Sequence, residues 1–229
     1  YMKKKIIVLS VSKSVAEIDW ILPLIYELKD DFKIFTLFQS QKVYKTLAKD
    51  KLLFDLWKEA SPEYKIENIV EKTWRFLDHN IFYKFFSNKD LNPFIRFNIK
   101  YYFKKSKINF SEIVIFFTEF GTYSPYINYI KNEKERPKII HFPTSTFIFT
   151  QQKLNENINY SLRGDNLFVC NDLDINFWSK RIEEKKIIVV GAPKYDSSWL
   201  NKIDCTKKIV NNKKPNILIA YSSRFQFEI

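Results

Sequence analysis

The sequence predicts an α/β protein with a Rossmann-like, largely parallel sheet and helices on both faces. Three observations carry that prediction. Short continuous β-branched runs recur along the chain, the mark of strands buried on both faces. Segments with apolar residues at helical spacing separate them. The order strand–helix–strand is set from the first residues. With 17% aromatic and 45% hydrophobic residues in 229, the composition is that of a packed globule. The length allows one or two domains.

Lys5–Leu9 (KIIVL) predicts the first strand. A helix follows at once: Ser14 and Glu17 form an S-x-x-E capping box, and Ile18, Ile21, Leu22, Ile25 and Leu28 repeat at helical spacing. Pro23 should kink this helix or open its hydrogen bonding. Phe32–Phe38 is the second strand. Ser61-Pro62-Glu63 predicts a helix start, with Pro at the first position and an acid in the first turn. Its apolar face would hold Ile66, Ile69, Val70, Leu77 and Ile81. Pro93 opens another helix, with Phe94, Phe97 and Tyr101 on one side and Arg96, Lys100, Lys104 and Lys107 on another. Glu112–Phe117, Lys138–His141, Asn166–Cys170 and Lys186–Val190 return to buried-strand character. Helical segments at Tyr123–Asn132, weakly near Leu154–Ser161, and at Leu173–Ile182 separate them. Ile203–Pro215 is rich in Lys and Asn and reads as a linker. Asn216–Arg224 (NILIAYSSR) resembles the first strand and turn of a second unit. The domain reading is therefore residues 1–202 as an N-terminal lobe, 203–215 as linker, and 216–229 as the start of a second lobe.

The net charge is +12, which invites a nucleic-acid or anionic-membrane partner. A usage heavy in Lys, Ile, Asn, Phe and Tyr is also what AT-rich codons produce, so the charge has two readings. The basic–aromatic stretch Phe82–Lys107 tempts a nucleic-acid reading, but core packing of its aromatics is the better account. Peripheral contact with an anionic membrane fits the basic face as well as RNA does. Cys170 and Cys205 lack metal-ligand spacing and read as free thiols of a reducing compartment. The basic start is followed by too short an apolar run for a signal peptide. No stretch approaches the roughly 20 apolar residues of a membrane span. The expected location is the cytoplasm, compatible with the inner face of the plasma membrane.

In an open parallel sheet, ligands bind beyond the carboxyl ends of the strands. After the first strand, Ser10–Ser14 (SVSKS) places backbone amides, Ser12 and Lys13 at a helix N-terminus, where anions are favoured. The loop has no glycine, so a simple turn competes with a phosphate cradle. Glu119 ends the EIVIFF strand, positioned for base work or for stabilising the helix that follows. His141 ends the KIIH strand, as a proton donor or a core histidine; His79 reads as a surface residue. Thr144, Ser145 and Thr146 offer hydroxyls to a polar acceptor. Gly191-Ala192-Pro193-Lys194 turns the chain as a hinge, with Asp196 as a brace. Ser222, Ser223 and Arg224 suit a diphosphate.

On these motifs, in this order, the chain resembles the bacterial UDP-N-acetylglucosamine 2-epimerases: AEIDWILPLIYEL, EIVIFFTEFG, KIIHFP, DNLFVCN and KIIVVGAPKYD. The resemblance extends to GT-B glycosyltransferases and CDP-glycerol glycerophosphotransferases, through VVGAPKYD and ILIAYSSR. Epimerases keep a Gly-Thr-Arg-Pro turn, a Gly-Asp pair and a Glu-Ala-Gly run. This chain has instead Val11-Ser12-Lys13-Ser14-Val15-Ala16, Thr118-Glu119 and Phe142-Pro143-Thr144 at those places. The resemblance thus implies the N-terminal lobe of a GT-B-like transferase in bacterial surface polysaccharide synthesis, inactive by itself. Glu119 and His141 would be catalytic, and Ser12, Lys13, Thr144 and Ser145 would bind the acceptor. Ser222, Ser223 and Arg224 would bind donor phosphate. It implies no cofactor and no metal, with a nucleotide-activated sugar or CDP-glycerol as donor and a glycan or lipid-linked acceptor. The rival readings are an epimerase or hydrolase of the same fold, and a non-catalytic basic module.

Overall fold

The computed structural model describes residues 5–66, 93–120, 125–144 and 162–206. Their strands form one seven-stranded sheet in the order β3-β2-β1-β4-β5-β6-β7, and all six pairings are parallel. The strands are β1 (Ile6–Val11), β2 (Lys33–Phe38), β3 (Glu63–Ile66), β4 (Ile113–Glu119), β5 (Lys138–Phe142), β6 (Asn166–Val169) and β7 (Ile187–Val189). The helices are α1 (Ala16–Leu28), α2 (Gln41–Leu47), α3 (Lys51–Ala60), α4 (Pro93–Lys105), α5 (Pro125–Lys131), α6 (Asp172–Trp178) and α7 (Ser197–Thr206). This is the Rossmann-like architecture that the alternation of runs predicts.

Side-chain alternation along β1 explains the two-faced core. Ile7, Leu9 and Val11 pack with Ile18, Ile21 and Ile25 of α1 and Trp57 of α3. Ile6 and Val8 face the other way, onto Ile99, Tyr102 and Phe103 of α4 and Ile127 and Ile130 of α5. A third cluster joins Leu167 and Val169 of β6 to Phe177 and Trp178 of α6. Every residue of β1 is buried, as a central strand with helices on both sides demands.

Four local expectations are corrected. The chain at Glu63 is edge strand β3, paired to β2 from Phe35↔Glu63 to Phe38↔Ile66, rather than the first turn of a helix. Ser61 is buried, and its hydroxyl donates to the carbonyls of Ile34 and Glu63. That tie lays the next residues alongside β2. On α4 the helix forms as expected, but Phe97 and Tyr101 are 66% and 54% exposed; among the described side chains of α4, Ile99, Tyr102 and Phe103 reach the core. The aromatics at Phe97 and Tyr101 stack on each other at 6.3 Å instead. The capping box is half formed: α1 begins at Ala16 with Val15 at its cap and no side-chain capping bond, while Glu17 reaches back to the Ser14 amide. Finally, α7 runs through Ile203 to Thr206, into the expected linker. Trp199 of α7 is buried against Tyr26 of α1, with ring centroids 5.7 Å apart.

Helix α1 passes through Pro23 without a break. The expected helix at Ile69–Ile81, His79, the weak helix near Leu154–Ser161, and everything from 207 onward, with Asn216–Arg224, lie outside the described residues.

Candidate active site

The strand order turns back on itself between β1 and β4, since β1 leads to β2 on one side and β4 leads to β5 on the other. Beyond the carboxyl ends of these two strands the connections diverge, which is where the crevice that holds ligands forms in such sheets. Ser12 and Lys13 follow β1, Glu119 ends β4, and Thr144 follows β5.

Three of the expected residues meet there. The Thr144 hydroxyl donates to Glu119 Oε1 at 2.8 Å. Lys13 Nζ lies 3.3 Å from Glu119 Oε2. The Glu119 side chain is 14% exposed and Lys13 is 53% exposed, so the carboxylate is held at the crevice wall while the ammonium reaches solvent. In register Glu119 pairs with Phe142, which stacks on Trp20 of α1 at 5.6 Å. Paired residues of parallel strands point to the same face. Glu119 therefore projects on the α1 side.

His141 does not join them. It pairs with Thr118 on one side and Leu167 on the other, on the opposite face of the sheet from Glu119. It is buried, 2% exposed, with its ring edge-on to Phe120 at 5.9 Å. Nδ1 lies 3.4 Å from the main-chain oxygen of Glu119, not from its carboxylate. Burial pushes the imidazole down to about 4, well below its ordinary value, so it is neutral near pH 7. This places His141 as a core histidine. Ser145, Ser222, Ser223 and Arg224 lie outside the described residues.

The residue that the sequence pattern presents only as a helix cap is Glu17. It is completely buried. Its Oε2 accepts from the Ser12 amide at 3.0 Å, and its Oε1 from the amides of Lys13 at 2.5 Å and Ser14 at 2.9 Å. Burial raises its pKa from the ordinary carboxylate value, the three amide donors oppose that rise, and the neighbouring Glu119 adds to it. A carboxylate three residues beyond a glycine-free strand–helix turn is the signal in SVSKSVAE that points to it. The loop that could cradle an anion is thus already filled.

Lys194, in the turn after β7, places Nζ 3.4 Å from Asp19 Oδ2 of α1. Gly191 holds φ +74°, the left-handed region that glycine enters without cost, and so sends the chain back toward α1. Asp196 accepts from the Ser198 amide at 2.8 Å, bracing the start of α7. After β6, the Cys170 amide donates to Asp174 Oδ2 at 2.9 Å. Burial and the Asp174 charge both raise the Cys170 thiol, which disfavours the thiolate that nucleophilic work needs.

No family model matches the chain, and no curated protein matches it. Among the described residues, no helix is long and apolar enough to cross a membrane.

Proposed function

We propose that this chain is the acceptor-side lobe of a GT-B-like transferase. Its donor would be a nucleotide-activated sugar or CDP-glycerol, and its acceptor the hydroxyl of a surface glycan or a lipid-linked glycan. One observation carries the reading: the carboxylate of Glu119 stands at the strand-order reversal, with one oxygen held by Thr144 and the other by Lys13. Transfer needs a base within hydrogen-bond reach of the acceptor hydroxyl. In the step proposed, Glu119 takes the hydroxyl proton as the acceptor oxygen bonds to the transferred group. The bond to the nucleotide breaks, and its electron pair leaves with the nucleotide phosphate. Thr144 and Lys13 hold the base in place, and the exposed part of Lys13 offers a charge to the acceptor.

This reading drops His141 from the chemistry, because its ring lies on the far face of the sheet. The test is Glu119→Gln in the intact protein, with nucleotide release from UDP-, GDP- and CDP-activated donors measured in the presence of glycan and lipid-linked acceptors. Loss of a positioned base should lower turnover by about 10²–10⁴-fold with donor affinity unchanged by calorimetry. Turnover equal to wild type would remove Glu119 from the mechanism. Donor consumption without any acceptor would favour the epimerase or hydrolase reading instead.

A further inference from the structure

Glu17 has three partners, all backbone amides, and all three are donors: Ser12, Lys13 and Ser14. A carboxylate whose every partner donates is bonded as its ionised form. Three successive N–H groups turned inward at a helix N-terminus are the arrangement with which strand–helix turns hold phosphate. Here the occupant belongs to the protein. Fixing the backbone of such a loop costs conformational entropy. The carboxylate gives all three amides a partner within the protein.

We infer that Glu17 is a resident anion of the first strand–helix turn, and that by locking Ser12–Ser14 it positions Lys13 against Glu119. The middle amide of the three belongs to Lys13 itself, so the shortest of these bonds anchors the residue whose ammonium lies 3.3 Å from the Glu119 carboxylate. Glu17 touches no substrate; it acts through Lys13. The same occupancy leaves these three amides no room for a donor phosphate. The turn thereby belongs to the acceptor side of the crevice. The part concerning Lys13 rests on the transferase reading above, whereas the occupancy of the turn does not.

Two measurements test it separately. In the first, Glu17→Ala vacates the space of one carboxylate, and formate has the size and charge to refill it. The variant should melt roughly 5 °C below wild type in sodium chloride and regain most of that loss in sodium formate at equal ionic strength. Wild type should show no such difference between the two salts. An equal response of both proteins to formate would overturn the resident-anion assignment, whatever the protein catalyses. In the second, Glu17→Gln and Lys13→Met are combined in a double-mutant cycle on turnover. Each single change should lower kcat by about tenfold with KM for the donor unchanged. The double variant should be no worse than the poorer single. Multiplying losses would show that Glu17 does not act through Lys13. Should Glu17→Ala fail to fold even in formate, the cycle with the near-isosteric Glu17→Gln decides the matter. A transferase reading that failed at Glu119 would leave the formate response standing.

Discussion

At Gly164 the missing side chain is what lets His141 stay buried. A Cβ there would sit 2.7 Å from His141 Cδ2 and 2.9 Å from both its Nε2 and the Ile139 carbonyl oxygen. The carbonyl cannot swing aside as a flexible side chain would, so the loop must shift. Gly164→Ala should cost about 1–3 kcal/mol of stability, read as a lower urea midpoint; an unchanged midpoint would mean the loop has slack. The residue scale also separates the two chemical candidates. Glu119 and His141 were equally legible as strand-end residues, since each closes a run of buried β-branched positions. What separates them is the parity of the strand. Glu119 shares a face with Phe142, and His141 with Leu167, and no count along one strand reveals which face opens on the crevice.

Among the elements, β3 shows how tertiary contacts override a local signal. Ser-Pro-Glu is a good helix start by its own chemistry, yet Glu63–Ile66 pairs with β2. The reason is a buried polar knot. Thr36 Oγ1 accepts from Trp57 Nε1 at 3.0 Å and lies 2.8 Å from Ser61 Oγ, which fixes the exit of α3 beside β2. Thr36→Val keeps the shape but strips the acceptor from a buried indole N–H. It should destabilise by about 1–3 kcal/mol, visible as a lower denaturant midpoint followed by tryptophan fluorescence. Equal stability would show that the knot does not set this edge. Helix α4 teaches a similar lesson about faces. Its length and start at Pro93 were legible, but the choice between the Phe97–Tyr101 side and the Ile99–Phe103 side depends on where the sheet lies.

For the whole molecule, the buried His141 and the Arg136–Asp165 pair both make stability fall toward acid pH. His141 has its pKa lowered from 6.5 to about 4 in the fold. The unfolded chain therefore binds this proton first, and stability is full above about 6.5 and falls as pH drops toward 4. The loss should reach about 3 kcal/mol. His141→Asn should flatten the pH dependence of the urea midpoint in that window; an unaltered slope would assign it elsewhere. Asp165 is held below its ordinary value by Arg136, whose two guanidinium nitrogens each lie 2.6 Å from a carboxylate oxygen. Its contribution has the same sign and is lost at lower pH, as Asp165 becomes protonated. By itself the sequence determined the fold class, the strands of the sheet other than β3, and the presence of Glu119 at a strand end. Those follow from local periodicity and from strands that must be apolar on both faces. Only the tertiary structure decided that Glu17 fills the first turn, that Lys13 and Thr144 converge on Glu119, that His141 turns away, and that α7 packs back on α1. Each of those depends on which strands are neighbours and which way their side chains point, and that is a property of the assembled sheet.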